Sequence, residues 1–390
     1  MKVGFVGLLP RLGMLTLVIL ADGAWVSAQN VREVDCDRES LRDALSASNP
    51  GDTLRVAGTC REPVVVTVDH LTLDGLDAGA FDGGVPGGGP FKVNGGAFNA
   101  AIVIDGARGV TVRRFTIRNS PGGGIIGQSN AAFKIQNTII QNNYFGIVVQ
   151  GGSQAEIDSS EISGNTDGGI GINNTSTVVF RGSVKVNRNL AGISASGNCD
   201  LELLGANLEV SGNKTNGIAL SGCSFNIRNF GMQSRIIVNE NGSDGLFIGG
   251  GQLVIGESFQ FGFAGEIFHE ITAVNNSGSG INLAGFASIV NLGGAKFDLR
   301  GNATGLNLAS ESSLLMIGGL RAQNNGTGIL ADGAGTVTLV STPRNPSIVR
   351  GNNMSDMDLR FGARMTVNGV VIEKLICDGT ILSRGTTKCP

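Results

Sequence analysis

Large polar aromatic side chains are almost absent from this chain. Tryptophan and tyrosine occur once each in 390 residues, as Trp25 and Tyr144, and histidine occurs only as His70 and His269. One tyrosine makes a poor stacking platform for bases or sugars, and two imidazoles leave little for general acid–base work at neutral pH. Basic clusters are missing too. With 29 basic against 32 acidic side chains and no Lys/Arg block, the chain lacks what nucleic acid phosphates require. Long apolar runs are confined to LGMLTLVILA (12–21), which Asp22 ends short of the ~20 residues that span a bilayer. Flanked by Lys2 and Arg11 and followed by VSA (26–28), this run reads as a secretion signal cleaved after Ala28. The mature chain then keeps 27 basic and 31 acidic side chains, a net charge of −4, and no tryptophan.

Glycine is abundant. Its 62 residues, beside 9 prolines and 41% apolar residues, predict many short strands joined by turns that need positive φ, and exclude long helices. One phrase recurs, as NNYFGIVV (142–149), GNTDGGIGI (164–172), GNKTNGIAL (212–220) and NNGTGILA (324–331). Glycines preceding Ile or Leu mark the period: Gly124 to Gly146 is 22 residues, then 23 to Gly169, 23 to Gly192 and 25 to Gly217. The spacing stretches to 28 at Gly245 and 35 at Gly280, then returns to 25 at Gly305 and 23 at Gly328. Each period divides into three alternating segments, so stacked coils bury one side of every strand, including Ile157, Ile170, Ile172, Leu201, Leu203, Phe225 and Ile227. The fold predicted is an all-β, single-domain parallel solenoid.

The recurrent asparagine predicts a ladder of stacked amides at one corner, through Asn142, Asn165, Asn187, Asn213, Asn239, Asn275, Asn302, Asn324 and Asn352. The following glycine is expected to supply a special φ where the next strand starts. Ser153 reads as an outward loop residue, and 76–96, rich in glycine, as a surface loop. The stretch 256–272, with Phe259, Phe261, Phe263 and Phe268, reads as an insertion packed on the solenoid.

The opening segment SLRDALSASNPGDTLRVAGTCREPVVVTVDHLTLDG (40–75) resembles that of right-handed parallel β-helix repeat proteins of the pectin-lyase-like superfamily. Pro50, Gly51, Asp52, Thr53, Leu54, Gly58, Thr59, Leu71, Thr72, Leu73 and Gly75 follow that family's pattern in order. The resemblance implies a right-handed solenoid with a short N-terminal capping helix over 40–48. It divides the chain into a signal peptide (1–28), a cap and first strand (29–62), the β-helix (63–375) and a C-terminal tail (376–390). The superfamily mixes lyases, hydrolases, epimerases and proteins without known chemistry, so function has to be argued from the site.

Six cysteines in an exported chain favour disulfides. Cys199 and Cys223 are one coil apart and precede equivalent strands, which places their Cα atoms within bridging range. Cys36 and Cys60 flank the capping helix, and Cys377 and Cys389 close the tail. The carboxylate and histidine motifs that relatives use on uronic-acid polymers are absent as such, and no catalytic, metal or cofactor residue is assigned. The strongest acid–base grouping is Glu266, His269 and Glu270, which competes with a solvated loop face. Arg113, Arg114, Lys134, Arg181 and Lys185 form a candidate basic strip, and Asp356 and Asp358 a weak calcium pair. The sequence favours a secreted, periplasmic or extracellular, non-catalytic binding or scaffold protein with an extracellular polysaccharide as partner. The alternative is a polysaccharide lyase or epimerase acting on uronic-acid glycans.

Overall fold

A computed structural model describes residues 30–83, 100–228, 232–256, 269–291, 295–378, 382–385 and 389. The chain winds into a right-handed parallel β-solenoid of about 13 turns. Successive coils contribute in order to three parallel sheets, here called first, second and third, with 15, 12 and 13 strands among the described residues. Register follows the repeat: Ile157 pairs with Phe180, Val178 with Leu201, and Leu203 with Ile227 in the first sheet, while Ile147, Ile170 and Ile193 stack in the third. All are buried in one continuous aliphatic and phenylalanine core.

The helix is short. It spans Leu41–Ser46, with Ser40 Oγ accepting the Asp43 N–H at 3.2 Å, and buries Leu41, Ala44 and Leu45 against strands Val31–Asp35 and Val64–Val66. Those are the terminal strands of the first and third sheets, so the helix covers part of an edge that would otherwise invite further pairing. Cys36–Cys60, Cys199–Cys223 and Cys377–Cys389 are bonded, with Cα separations of 4.9, 4.7 and 6.0 Å. The signal segment lies outside the described residues, and no helix among them is long and apolar enough to cross a membrane.

The asparagine ladder exists with a different membership. It runs through Asn143, Asn165, Asn189, Asn213, Asn241, Asn276, Asn302, Asn325 and Asn352, at the corner between the second and third sheets. The expected Asn142, Asn187, Asn239, Asn275 and Asn324 are not rungs. Asn142, Asn275 and Asn324 stand one position earlier, in the left-handed region with φ of 56 to 57°, where Gly164, Gly212, Gly301 and Gly351 serve in other coils. In the doubled asparagine, the first residue turns the chain and the second carries the rung.

The glycine after the rung has another role than expected. Gly146, Gly169 and Gly192 are not among the positive-φ residues; what each lacks is room. A Cβ on Gly169 would lie 2.5 Å from Val186 Cγ1, 2.7 Å from the Gly192 carbonyl and 2.8 Å from Asn189 Nδ2. The glycine therefore lets the next rung close over the coil.

Two further expectations are corrected. Within 76–96, Ala80–Asp82 is a strand of the second sheet, because Phe81 is buried against Phe115 with ring centroids 5.4 Å apart. Ser153 faces inward, fully buried, its Oγ accepting the Ala131 N–H at 3.1 Å.

Candidate functional site

On the first and second sheets strand alternation sends one side of each strand into the core and turns the other outward, and the outward sides stack into rows along the solenoid. On the third sheet Val103, Ile126 and Val148, on the side away from the core, are buried in a cluster of their own. On the first sheet these rows neutralise themselves. Lys134 Nζ lies 2.6 Å from Glu156 and Arg181 Nε 3.0 Å from its other oxygen, while Arg113 and Arg114 both clasp Asp74. Burial alone would raise the Glu156 pKa, but hydrogen bonds from Lys134 and Arg181 outweigh it and leave it lowered. Asp74 is likewise lowered: burial is outweighed by the Arg114 guanidinium, the Leu76 N–H and Arg113. The supposed basic strip is an ion-paired lattice over these four cations; Lys185 lies on the second sheet instead.

The second sheet carries two grooves, and a third, of about 400 Å3, lies between the capping helix and strand Val64–Val66. One of the two, of about 420 Å3, has its floor on strands His269–Val274, Ala295–Arg300 and Leu320–Gln323 and its wall in Arg344, Asn345 and Pro346. Register places Arg235, Glu270 and Lys296 in one outward row and Thr272, Asp298 and Arg321 in the next. The result is a checkerboard of both signs, pinned by Arg235–Glu270 at 2.7 Å and Arg300–Asp298 at 2.6 Å. Asn345 is only 5% exposed, and its Nδ2 has no hydrogen-bond partner among the described residues, although its carbonyl accepts the Gly319 N–H. That nitrogen has almost no access to solvent, so Asn345 shapes the groove wall and offers no donor to a molecule in the groove. A second groove of about 330 Å3, lined by Thr138, Ser160, Glu161, Ser183 and Lys185 among others, lies on the same sheet nearer the N-terminus.

The trio foreseen in the sequence does not assemble as drawn. Glu270 reaches the groove, but His269, its strand neighbour, points to the opposite side and is buried, with Nδ1 accepting the Ser234 N–H at 3.1 Å. Burial lowers the His269 pKa, so the ring is neutral and committed to the interior. Glu266 and the insertion phenylalanines lie outside the described residues. Among the described residues no group of three His, Cys, Asp or Glu side chains converges as a metal site. Asp358 is bound to Arg360, and Asp356 has a different task.

Asp356 ends the asparagine ladder. Each rung's Oδ1 accepts both the backbone N–H and the Nδ2–H of the preceding rung, and its own Nδ2 donates onward, so every amide points the same way. The last donors, Asn352 N and Nδ2, meet Asp356 Oδ1 at 3.1 and 2.9 Å, while Oδ2 accepts the Glu373 and Lys374 N–H groups. A carboxylate thus stands where the next amide oxygen would be, at the positive end of an aligned stack, as anions do at helix N-termini. Burial would raise the Asp356 pKa, but these bonds, led by the Asn352 side chain, lower it.

Residues 96–230 match the family model described as a right-handed beta helix region. Among solved structures, the A-module of the Azotobacter vinelandii mannuronan C-5 epimerase AlgE6 is similar at 14% identity and TM-score 0.40, over 91% of this chain and 88% of that one. The pectate lyase Pel9A is similar at 13% identity and TM-score 0.38, over 91% and 80%. PfbA, a surface adhesin of Streptococcus pneumoniae, is similar at 12% identity and TM-score 0.32, over 84% and 91%. No curated protein matches the chain in sequence.

Proposed function

We propose that this is a non-catalytic polysaccharide-binding scaffold of the cell exterior, holding an extended glycan along the outward face of its second sheet. Three disulfides fit an oxidising compartment. The observation that carries the reading is the in-register checkerboard of charged side chains along the groove floor. Carboxylates such as Asp298 accept from sugar hydroxyls, while Lys296 and Arg321 donate to hydroxyls or uronate carboxylates. The carboxylates Glu270 and Asp298 are each engaged by an arginine, which suits holding a polymer and deprives them of a free acid or base role. The chain's spacing of coils, about 4.8 Å, offers a polymer the same chemistry repeatedly.

The test is binding of polygalacturonate and alginate by the mature chain at low and high salt, with product formation followed in parallel. Binding is expected to weaken as salt rises, because exposed charges are screened over ~8–10 Å, and to fall severalfold in Arg321→Ala and Lys296→Ala. No unsaturated uronate should accumulate. Turnover that Asp298→Ala or Glu270→Gln abolishes would replace this reading with the lyase or epimerase alternative.

A further inference from the structure

The corner between the third and first sheets turns on left-handed residues in most coils. In the N-terminal coils the two left-handed positions are filled by Ser129–Asn130, Gly151–Gly152, Asn174–Thr175 and Gly197–Asn198, small or polar residues suited to φ near +60°. In the C-terminal coils they are Gly285–Phe286, Ser310–Glu311, Gly333–Ala334 and Phe361–Gly362. Phe286 has φ of 65° and Phe361 of 52°, a region a bulky side chain enters only at a cost.

Among the described residues no packing repays that cost. Phe286 is 72% and Phe361 70% exposed, and neither joins the core. Backbone bonds from Phe286 N to Ser310 O, Glu311 N to Gly333 O and Ala334 N to Phe361 O set these corners one above another. Three coil steps therefore separate the two rings, roughly 14 Å along the axis at the usual strand spacing. Between and beside them stand carboxylates: Glu311 in the intervening corner, Asp332, and Asp378, whose Oδ2 accepts the Phe361 N–H at 2.7 Å. The nearby Arg360 is held bidentately by Asp358.

From this we infer that the edge formed by Phe286 and Phe361 is a second glycan subsite, selective for uncharged polysaccharide. The inference rests on the glycan-binding reading above, but it concerns a different face and a different chemistry. A pyranose ring presents a C–H face, which lies on an aromatic face, and a rim of hydroxyls, which carboxylates accept from in pairs. Exposed rings at a spacing fixed by the solenoid suit a repeating polymer. The carboxylates Glu311, Asp332 and Asp378 repel a polyanion, and so set this edge apart from the mixed-charge groove.

The experiment measures binding of soluble uncharged polysaccharides (β-glucan, galactomannan, arabinoxylan and dextran) and of polygalacturonate, at low and high salt. It compares the mature wild-type chain, the double variant Phe286→Asn/Phe361→Asn, and Lys296→Ala. Wild type should bind at least one uncharged polymer with an affinity that salt leaves unchanged. The double variant should lose at least tenfold of that affinity while melting at or above the wild-type midpoint, since asparagine accepts left-handed φ better. Lys296→Ala should keep it. Undiminished binding by the double variant, or no uncharged polymer bound by wild type, overturns the inference. If polygalacturonate still binds through the groove, the glycan-binding reading survives that failure; if nothing binds, both fall. Phosphatidylcholine vesicle binding lost in the double variant, without polysaccharide binding, would assign the edge to a lipid surface instead.

Discussion

Two corners of the same coil solve the same backbone problem in opposite ways. Between the second and third sheets, the turning residue varies among Asn, Gly, Arg188 and Glu240, while the rung behind it is asparagine in nine successive coils. Between the third and first sheets the inward residue is only required to be small, as at Ala131, Ser153, Ser176, Cys199, Ala287 and Ser312, and the outward residues drift from Asn and Gly to Phe. Uniformity marks the corner where each residue must bond to its copy above and below. Variation against local preference marks the outward positions of the other corner, where the fold asks for a left-handed φ but for no particular side chain, and where another demand is free to act.

That contrast is sharpened first at the glycines that make room for the ladder. Gly169→Ala places a methyl against Val186, the Gly192 carbonyl and Asn189, two of which belong to the repeated spine. The expected cost is about 2 kcal/mol, from overpacking that backbone atoms cannot relieve, read as a lower denaturant midpoint. Gly212, also at a corner but with φ of 64° and open space around its Cα, should respond to Gly212→Asn with a far smaller shift.

A smaller effect concerns acid. Asp74 and Asp356 both have pKa values below the ordinary 3.8, so the folded state holds its carboxylates deprotonated more strongly than the unfolded chain does. Their stabilisation is complete above the unfolded value and is lost as pH falls through the folded one. The unfolding midpoint should therefore drop steeply below about pH 4, and Asp356→Asn, which replaces the charge yet keeps an acceptor oxygen, should flatten that drop. An unchanged acid profile in this variant would remove Asp356 from the acid response.

Much of this was legible in the chain because the repeat is one-dimensional: a period of 22 to 25 residues and alternation within it dictate three sheets and an aliphatic core without any long-range guess. The ladder register was not. Asn142 and Asn143 look alike in sequence, and only the φ of 56° at the first shows that it turns while its neighbour bonds. The glycine's role was misread for the same reason, since close approach and positive φ leave the same residue in the sequence. The groove was invisible because its wall comes from Arg344, Asn345 and Pro346, in a connection whose path the repeat does not dictate, and His269 was misplaced because one strand position decides inside from outside. The Phe286 and Phe361 edge did carry a signal, an aromatic directly beside a corner glycine, but its meaning needed the left-handed φ and the exposure together.

The most direct test of the division between a bonded rung and an unconstrained outward position is a pair of thermal unfolding midpoints. Asn213→Ala removes a rung that accepts from Asn189 N and Nδ2 and donates to Asn241 Oδ1 and the Val186 carbonyl, so several buried groups lose partners at ~1–3 kcal/mol each. Phe361→Asn removes an exposed ring from a strained position. The account predicts a large fall for Asn213→Ala, far beyond that of the neighbouring exposed Lys214→Ala, and an unchanged or raised midpoint for Phe361→Asn. Equal falls at Asn213 and Phe361, or a fall only at Phe361, would contradict it.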